Sequence, residues 1–238
     1  REMVRAFVAG ATGYTGQSVV ELLLDQDVTV AAHIRPNSTR RAEFTSSFRS
    51  QGATVVTCAW DLEAITKELV TLQPDLVFCL IGTTRSRARR EGLSGDIYEL
   101  VDYSLSSILI QAAQACGSQP KFIYLSSMGV AGRAPRSPYL LARYKVEREL
   151  RESGLPWVAA RPSFITGDRM EARPMESAGA AVLNACLSAA TVMGASRWAS
   201  RYRSQTGREL ATALVSLAMD PAVTNGAFES DTLVLRHP

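Results

Sequence analysis

The stretch Gly10-Ala-Thr-Gly13-Tyr-Thr-Gly16 decides the fold of this chain. It follows the apolar run Val4–Ala9 and leads into the amphipathic segment Thr15–Leu24. An apolar run, a glycine-rich turn and an amphipathic segment in this order predict a strand, a tight turn and a helix. A G-x-x-G-x-x-G spacing in this context is typical of a turn that binds a dinucleotide, and a purely structural turn is the alternative.

Each glycine of the turn has its own reason. Gly10 permits the tight turn, Gly13 lets backbone N–H groups approach a pyrophosphate, and Gly16 lets the helix pack closely on the strand. The pyrophosphate then lies at the positive end of the helix. We therefore predict cofactor contacts from Gly10, Thr12, Gly13, Tyr14, Thr15 and Gly16.

The composition indicates an ordinary globular chain, with 46% apolar residues and a net charge of +3. This balance argues against a dedicated nucleic-acid or membrane-surface protein. The four cysteines are far apart and form no C-x-x-C pair, so we expect reduced thiols in a reducing compartment and no metal site. The chain passes directly into its first strand without a charged-then-apolar leader, which predicts a cytoplasmic protein. The Ala-rich stretch Ser177–Ser196 is expected to form a buried or interfacial helix rather than a membrane span.

Apolar runs alternate with helical segments along the chain, which predicts an α/β fold with a doubly wound parallel Rossmann sheet and helices on both faces. The ligand crevice of such a fold lies at the carboxyl ends of the strands. We predict a single domain over residues 1–238, with residues 167–205 as a small C-terminal substrate lobe, a helix over Glu209–Met219 and a closing strand over Phe228–Leu235. The other predicted strands are Val4–Ala9, Val28–Ile34, Thr54–Ala59, Leu76–Ile81, Phe122–Leu125 and Trp157–Ala160.

The second strand is followed by His33-Ile34-Arg35 and has no acidic residue at its end. A carboxylate there would bind the ribose hydroxyls of NAD, whereas a guanidinium forms a bidentate pair with the 2′-phosphate of NADP. Arg35, helped by Arg40 or Arg41, therefore predicts NADP(H) in preference to NAD(H). Solvated arginines at a helix start are the alternative.

The next two strands end in weaker signals. Asp61-Leu62 is in position to approach the adenine, although an acidic helix N-cap explains Asp61 equally well. Gly82-Thr83-Thr84 is a small polar turn able to contact the cofactor backbone.

The fifth strand ends in Ser126-Ser127-Met128, and Tyr139 and Arg143 follow one helical turn apart. This arrangement resembles the short-chain dehydrogenase/reductase superfamily, in its atypical and extended branches. The resemblance implies that Ser127 orients the substrate, that Tyr139 transfers a proton, and that both Tyr139 and Arg143 contact the cofactor. A phenol has a pKa of about 10 and needs a nearby cation to act near neutral pH.

Position 143 departs from that superfamily, because it carries Arg where the superfamily carries Lys. A guanidinium can support a phenolate, but its planar fork is not interchangeable with a compact ammonium. Lys145 is about 240° around the helix from Tyr139 and cannot easily substitute. Since only Lys67, Lys121 and Lys145 of the 26 basic residues are lysine, the change is compatible both with general arginine usage and with lost catalysis.

Further motifs narrow the resemblance to the Tat-interacting-protein-like oxidoreductases, with the NmrA-like group as near relatives. They are Arg161-Pro162-Ser163, whose Pro162 and Ser163 would lie beside the nicotinamide, and the stretch Gly167-Asp-Arg-Met-Glu-Ala-Arg-Pro174. The resemblance implies an NADP(H)-binding Rossmann protein in a family that holds both reductases and binding proteins. We therefore expect an oxidoreductase acting on a small-molecule substrate, with an NADP(H)-sensing binding protein as the alternative. A nucleotide-sugar epimerase is less favoured, because little chain follows the sixth strand.

The arginines at positions 85, 87, 89 and 90 form a basic cluster after the fourth strand. It could clamp an anionic substrate, contact an acidic partner, or form a solvated loop. Nucleic-acid binding is not expected, because no aromatic residues are interleaved with the arginines. The apolar content of Ser177–Ser196 and of the Leu100–Cys116 helix permits a homodimer or a protein partner but does not require one.

Overall fold

The strands in the described part of the chain are short and mostly buried. The computed structural model describes residues 3–83, 85–163, 165–166 and 205–235. The strands are β1 Arg5–Ala9, β2 Thr29–His33, β3 Thr54–Val56, β4 Leu76–Cys79, β5 Lys121–Leu125, β6 Trp157–Arg161, β7 Ile165–Thr166, β8 Gln205–Thr206 and β9 Gly226–Glu229.

Helices connect these strands and include one π-helical turn, Tyr98–Tyr103, which leads directly into α5. The α-helices are α1 Tyr14–Leu24, α2 Arg41–Ser50, α3 Leu62–Leu72, α4 Arg85–Arg90, α5 Ser104–Ala115, α6 Pro138–Glu152, α7 Gly207–Met219 and α8 Ser230–Leu235.

Seven strands form one parallel sheet in the order β3-β2-β1-β4-β5-β6-β9. The strand order reverses between β1 and β4, where Ala9 pairs with Cys79 at the carboxyl ends. A doubly wound sheet opens its ligand crevice at this point. The predicted Rossmann architecture is confirmed. Strands β7 and β8 form a separate two-stranded parallel sheet.

Two apolar layers cover the faces of the sheet. Helices α1, α2 and α7 contribute to one layer, in which Leu23, Phe48 and Leu214 are buried. Helices α3, α5 and α6 contribute to the other, with Leu69 and Leu109 among its buried residues. Strands buried on both faces read as continuous apolar runs, which is why the sequence predicts them well.

The predicted closing strand Phe228–Leu235 is wrong over most of its length. β9 ends at Glu229, and Ser230–Leu235 forms helix α8. Apolar residues close together in so short a run fit a buried strand and a buried helix alike. Ser230 and Asp231 are the first two residues of α8, and the Asp231 carboxylate accepts the Thr232 N–H at 2.9 Å.

Several predictions concern residues outside the part of the chain that the structure describes. The substrate lobe, except for its last residue, lies outside the described residues, as do Ser177–Ser196, Gly167–Pro174 and Thr84. Among the described cysteines, Cys58, Cys79 and Cys116 are free thiols, and the latter two are buried. No helix within the described ranges is long and apolar enough to cross a membrane.

Candidate active site

The glycine turn between β1 and α1 is packed so tightly that it excludes larger residues at two of its three glycines. Gly10 has a φ of +80°, and an added Cβ would lie 2.5 Å from the Leu80 carbonyl oxygen. A Cβ at Gly16 would lie 2.1 Å from the Gly10 carbonyl oxygen. At Gly13 the same atom would be 3.2 Å away, so this residue is less constrained by packing.

The first turn of α1 presents its backbone toward the crevice. Gly13 is the N-cap residue and has no side chain with which to cap the helix. Backbone N–H groups at a helix N-terminus are a site for anions such as a pyrophosphate. Thr15 is buried, whereas the Tyr14 ring packs on α7, where a Cβ added at Gly207 would lie 2.4 Å from it.

The segment that follows β4 forms the wall between the glycine turn and α6. The Leu80 carbonyl closes over Gly10, as described above. Two residues further on, a Cβ at Gly82 would lie 2.7 Å from Nη2 of Arg143. The wall segment, residues 80–83, therefore contacts the turn on one side and the predicted catalytic cation on the other.

The guanidinium of Arg143 is buried, and each of its terminal nitrogens donates a hydrogen bond within the chain. Nη2 donates to Asp102 Oδ1 at 2.8 Å, and Nη1 donates to the Leu125 carbonyl and, at 3.4 Å, to the Tyr124 hydroxyl. Only 6% of Arg143 and none of Asp102 is exposed. Arg143 Nε is buried without a hydrogen-bond partner among the described residues.

In this cluster, burial and the charges of neighbouring groups shift the pKa values in opposite directions. Burial raises the pKa of Asp102, and the charge of Arg143 opposes that rise. Burial also opposes the charge on Arg143, but Tyr124, Tyr139 and Asp102 together hold its pKa above the ordinary value. Arg143 is therefore a permanent cation in this site.

The π-helical turn supplies the partners for α6. Its Tyr98 packs edge-on against the Tyr139 ring, with 5.4 Å between centroids. Asp102 also fixes the wall segment, since its Oδ2 accepts the Thr83 N–H at 3.2 Å. Lys145 pairs with Glu99 at 2.8 Å. It therefore does not take the role that the lysine of the superfamily has beside the tyrosine. π-Helical turns are frequent at functional sites.

The three predicted catalytic residues come from β5 and α6. The Arg143 guanidinium carbon lies 5.2 Å from the centroid of the Tyr139 ring, so the cation contacts the ring. Ser127 lies two residues beyond the end of β5 and is half-buried, and its hydroxyl donates to the Met128 carbonyl at 3.4 Å. Tyr139 is half-buried in the first turn of α6.

A buried ionic network holds the ends of β5 and β6 against α6. Glu147 accepts from the Ser126 hydroxyl at 2.6 Å and from Arg161 Nε and Nη2 at 2.9 and 2.6 Å. The Met128 N–H donates to the Pro162 carbonyl at 3.0 Å, and the Ser163 N–H donates to the Ser230 hydroxyl at 2.7 Å. Ser127 is thus held beside the turn that carries Pro162 and Ser163.

At the other end of the crevice, every basic residue proposed for a 2′-phosphate has a partner within the chain. Arg35 forms a bidentate pair with Glu91 at 2.9 and 3.2 Å. Arg40 donates to Glu43 at 2.8 Å, and Arg41 donates to the Pro36 carbonyl at 2.8 Å. The predicted phosphate contact therefore stays a prediction.

The remaining predicted cofactor residues flank this region. Asp61 is the N-cap of α3 and accepts the Ala64 N–H at 2.8 Å, as the alternative interpretation expects. Leu62, at the start of α3, is exposed. The backbone of the arginine cluster forms helix α4, which differs from a plain loop.

Sequence reasoning missed Asp102, Tyr98 and Glu91. Asp102 is the one acidic residue in the predicted Leu100–Cys116 helix, and a carboxylate beside apolar positions is the signal that could have found it. Tyr98 and Glu91 have no such signal, because only the fold brings them to Tyr139 and Arg35.

A family model described as NAD(P)H-binding matches residues 10–192. Protein HTATIP2 of Rattus norvegicus is 29% identical over 173 residues, which cover 71% of this chain and 66% of that protein. Protein fmp52-1, mitochondrial, of Aspergillus terreus is 27% identical over 177 residues, covering 74% of this chain and 73% of that protein. These matches confirm the resemblance to atypical short-chain dehydrogenase/reductase proteins.

Solved structures share the fold. The Bordetella bronchiseptica enzyme WbmH, solved in complex with NAD+, superposes with a TM-score of 0.65 and 21% identity over 96% of this chain and 75% of that one. At this identity the likeness is one of architecture. A relative described as mitochondrial leaves the cytoplasmic location a prediction.

Proposed function

The chain belongs to the NAD(P)H-binding family, and on that basis we propose that it is an NADP(H)-dependent oxidoreductase. It would transfer hydride to or from a small carbonyl compound or an activated alkene. The wall segment after β4 is the observation that carries this proposal, because it contacts Gly10 on one side and Arg143 on the other. A cofactor on the glycine turn would then extend past this segment toward Tyr139 and Ser127.

The residues present suit such a cofactor. Gly10, Gly13 and Gly16 would hold the pyrophosphate against the start of α1. Arg143 Nε, which has no hydrogen-bond partner among the residues that the structure describes, is a buried donor of the kind that a bound group satisfies. When bound, the nicotinamide supplies or accepts the hydride.

The protein's own residues handle the proton and the substrate oxygen. Tyr139 would donate its phenolic proton to the oxygen of a carbonyl substrate as that oxygen gains charge. Ser127 would donate a hydrogen bond to the same oxygen and so orient the substrate. Arg143, held by Asp102 and in contact with the Tyr139 ring, would stabilise negative charge on the phenol.

NADP(H) is proposed over NAD(H) because of Arg35. Its guanidinium already holds a carboxylate in bidentate geometry, and the same fork suits a phosphate. Arg35→Asp should weaken NADPH binding far more than NADH binding. Equal losses for both cofactors would defeat this assignment.

The central experiment combines a binding and a turnover measurement. NADPH and NADH are titrated by nicotinamide fluorescence, and NADPH oxidation is then followed with a panel of small carbonyl and enone substrates. Tyr139→Phe should leave NADPH affinity within about twofold and lower turnover by about 100-fold or more. Tyr144→Phe, five residues further along α6, is the matched control and should retain turnover. If wild-type protein binds neither cofactor, the proposal is wrong.

One observation favours a second function, that of an NADP(H)-sensing binding protein. Both terminal nitrogens of Arg143 are already engaged by Asp102, Tyr124 and Leu125, as a purely structural residue's would be. Arg143→Lys separates the two functions, because an impaired enzyme can gain turnover whereas a sensor gains none. Arg143→Met should gain none in either case.

A further inference from the structure

The pair between Arg35 and Glu91 joins two distant parts of the chain at the proposed phosphate site. Arg35 follows β2, and Glu91 follows α4, so the partners are 56 residues apart. Both donors of the Arg35 fork are used, at 2.9 and 3.2 Å. The side chains are 43% and 30% exposed, so the pair is accessible to solvent.

A carboxylate in this position competes with a phosphate. Arginine binds carboxylates and phosphates through the same pair of parallel N–H groups. A 2′-phosphate that binds Arg35 through this same Nη1/Nη2 fork would need those groups, and it would meet the negative charge of Glu91 at close range. The two anions therefore cannot hold the Arg35 fork together.

We propose that Glu91 is an internal competitor for the 2′-phosphate, and that it sets how strongly the protein prefers NADP(H) over NAD(H). This inference rests on the proposed function, since it requires a dinucleotide on the glycine turn. NADP(H) displaces Glu91 from Arg35, whereas NAD(H), which has no 2′-phosphate, leaves the pair in place.

The neighbouring pairs show why Glu91 differs from the other acidic residues nearby. Glu43 pairs with Arg40 three residues away at the start of α2, so releasing it disturbs only that turn. Glu91 instead connects the β2 exit to the segment that contains α4. Release of Glu91 by NADP(H) therefore removes this link between the β2 exit and the residue that follows α4, whereas NAD(H) leaves the link in place.

Glu91→Gln tests the competition directly, because it removes the charge and keeps the size. An accessible ion pair contributes up to about 1 kcal/mol, which corresponds to about a fivefold change in affinity. We expect Glu91→Gln to tighten NADPH binding about fivefold and to change NADH binding less than about twofold. Adenosine 2′,5′-bisphosphate and 5′-AMP should show the same contrast, because they differ in the 2′-phosphate. The gain should shrink at high salt, where the charges are screened.

Glu21→Gln is the matched control. Glu21 forms an exposed pair with Arg208 at 3.1 Å and carries the same charge, but it lies on α1 and does not contact Arg35. This variant should leave both affinities unchanged. In an Arg35→Gln background, Glu91→Gln should give no gain, because the competition requires the guanidinium.

Hydrogen exchange supplies a readout that does not depend on affinity. Exchange of backbone amides in residues 88–93 should rise when NADPH binds and stay constant when NADH binds. Glu91→Asp, which keeps the charge but shortens the reach, should show a smaller gain and replaces Glu91→Gln if the latter does not fold.

The possible outcomes distinguish a failure of this inference from a failure of the proposed function on which it rests. If wild-type protein binds neither cofactor, both the proposed function and the role of Glu91 are wrong. If NADPH binds and Glu91→Gln leaves its affinity unchanged, weakens it, or tightens NADH equally, only the role of Glu91 is overturned. A gain that persists without Arg35 also overturns it, because the effect is then one of general charge.

Discussion

The glycine turn and the Arg143 cluster lie on opposite sides of the wall segment, residues 80–83, and they are built in opposite ways. The turn depends on the absence of side chains, because an added Cβ at Gly10 or Gly16 would overlap backbone oxygens. The cluster works because charges are present and matched, with Arg143 and Asp102 paired in the interior. At Gly10 and Gly16 the turn tolerates no added side chain, whereas the cluster does not tolerate the removal of one partner of its charged pair.

The two sides therefore differ in how a substitution disturbs the surrounding structure. A side chain added at the turn pushes against backbone, which cannot move without shifting β1 or α1. A partner removed from the cluster leaves a buried charge without compensation. Both changes reach the wall segment, although they reach it through packing in one case and through electrostatics in the other.

The largest effect is expected for Gly16→Ala. Alanine is the better helix former, so propensity alone predicts stabilisation. The Cβ would nevertheless lie 2.1 Å from the Gly10 carbonyl oxygen and 2.9 Å from Ala11 Cα. We expect the free energy of unfolding to fall by about 5 kcal/mol, which approaches the total for a marginal domain. Urea unfolding measures it.

Gly13→Ala is the control within the same turn. Its Cβ would meet the Gly10 carbonyl oxygen at 3.2 Å, a distance that small shifts relieve. This variant should lose less than about 1 kcal/mol of stability. Equal stability losses for Gly13→Ala and Gly16→Ala would contradict the packing explanation.

On the other side, Asp102→Ala should cost about 3–5 kcal/mol, because it leaves Arg143 buried without its carboxylate. The double variant Asp102→Ala/Arg143→Met should be more stable than Asp102→Ala alone, since the unpaired charge is removed as well. Chemical denaturation of both variants measures the difference. Additive losses would mean that the pair contributes no coupling, and the cluster would then be ordinary packing.

The same contrast explains which parts of the molecule the sequence could predict. The glycine turn is local, so the order of strand, turn and helix reveals it within one short stretch. The Asp102–Arg143 pair depends on the fold, because 41 positions separate the partners. The π-helical turn that presents Tyr98 and Asp102 to α6 has no distinct sequence pattern, and the segment was predicted as a plain helix beginning at Leu100.

Helix–strand ambiguity accounts for the remaining error in the fold. The segment after Glu229 is short, and its apolar residues are the consecutive Leu233, Val234 and Leu235, so periodicity could not separate strand from helix. In the site, the structure places Arg35 just after β2, as the sequence indicates, but its partner Glu91 comes from beyond the fourth strand and its contact with a 2′-phosphate stays a prediction. Residues that act through backbone position were thus predictable, and residues that act through distant partners were not.

A smaller effect should appear as a pH dependence on the glycine-turn side, where a neutral ring is buried rather than a charged pair. His33 is buried, contacts the Cys58 carbonyl through Nε2 at 3.0 Å, and packs against Trp60. Burial lowers its pKa, so protonation favours the unfolded state. Stability is complete above the unfolded-state pKa of about 6.5 and falls as the pH drops below it, by at most about 1.4 kcal/mol per pH unit.

Thermal or urea unfolding between pH 7.5 and about pH 5 measures this loss. His33→Gln keeps a donor for the Cys58 carbonyl and does not titrate, so it should flatten the profile. The chain has two histidines, and His237→Gln is the matched control that should leave the profile unchanged. A profile that is identical in wild type and His33→Gln would mean that the ring is accommodated in its charged form.

The smallest predicted effect concerns an exposed ion pair that joins the same two elements as the buried pair of Asp102 and Arg143. Glu99 and Lys145 also join the π-helical turn to α6, at 2.8 Å, but their side chains are 38% and 33% exposed. Glu99→Gln should therefore lower the free energy of unfolding by about 0.5 kcal/mol, and by less at high salt. Urea unfolding at two salt concentrations, beside Asp102→Ala, measures the contrast. If both variants lost the same stability, pairing and not burial would govern this side, because the two carboxylates belong to one π-helical turn and their partners to one helix.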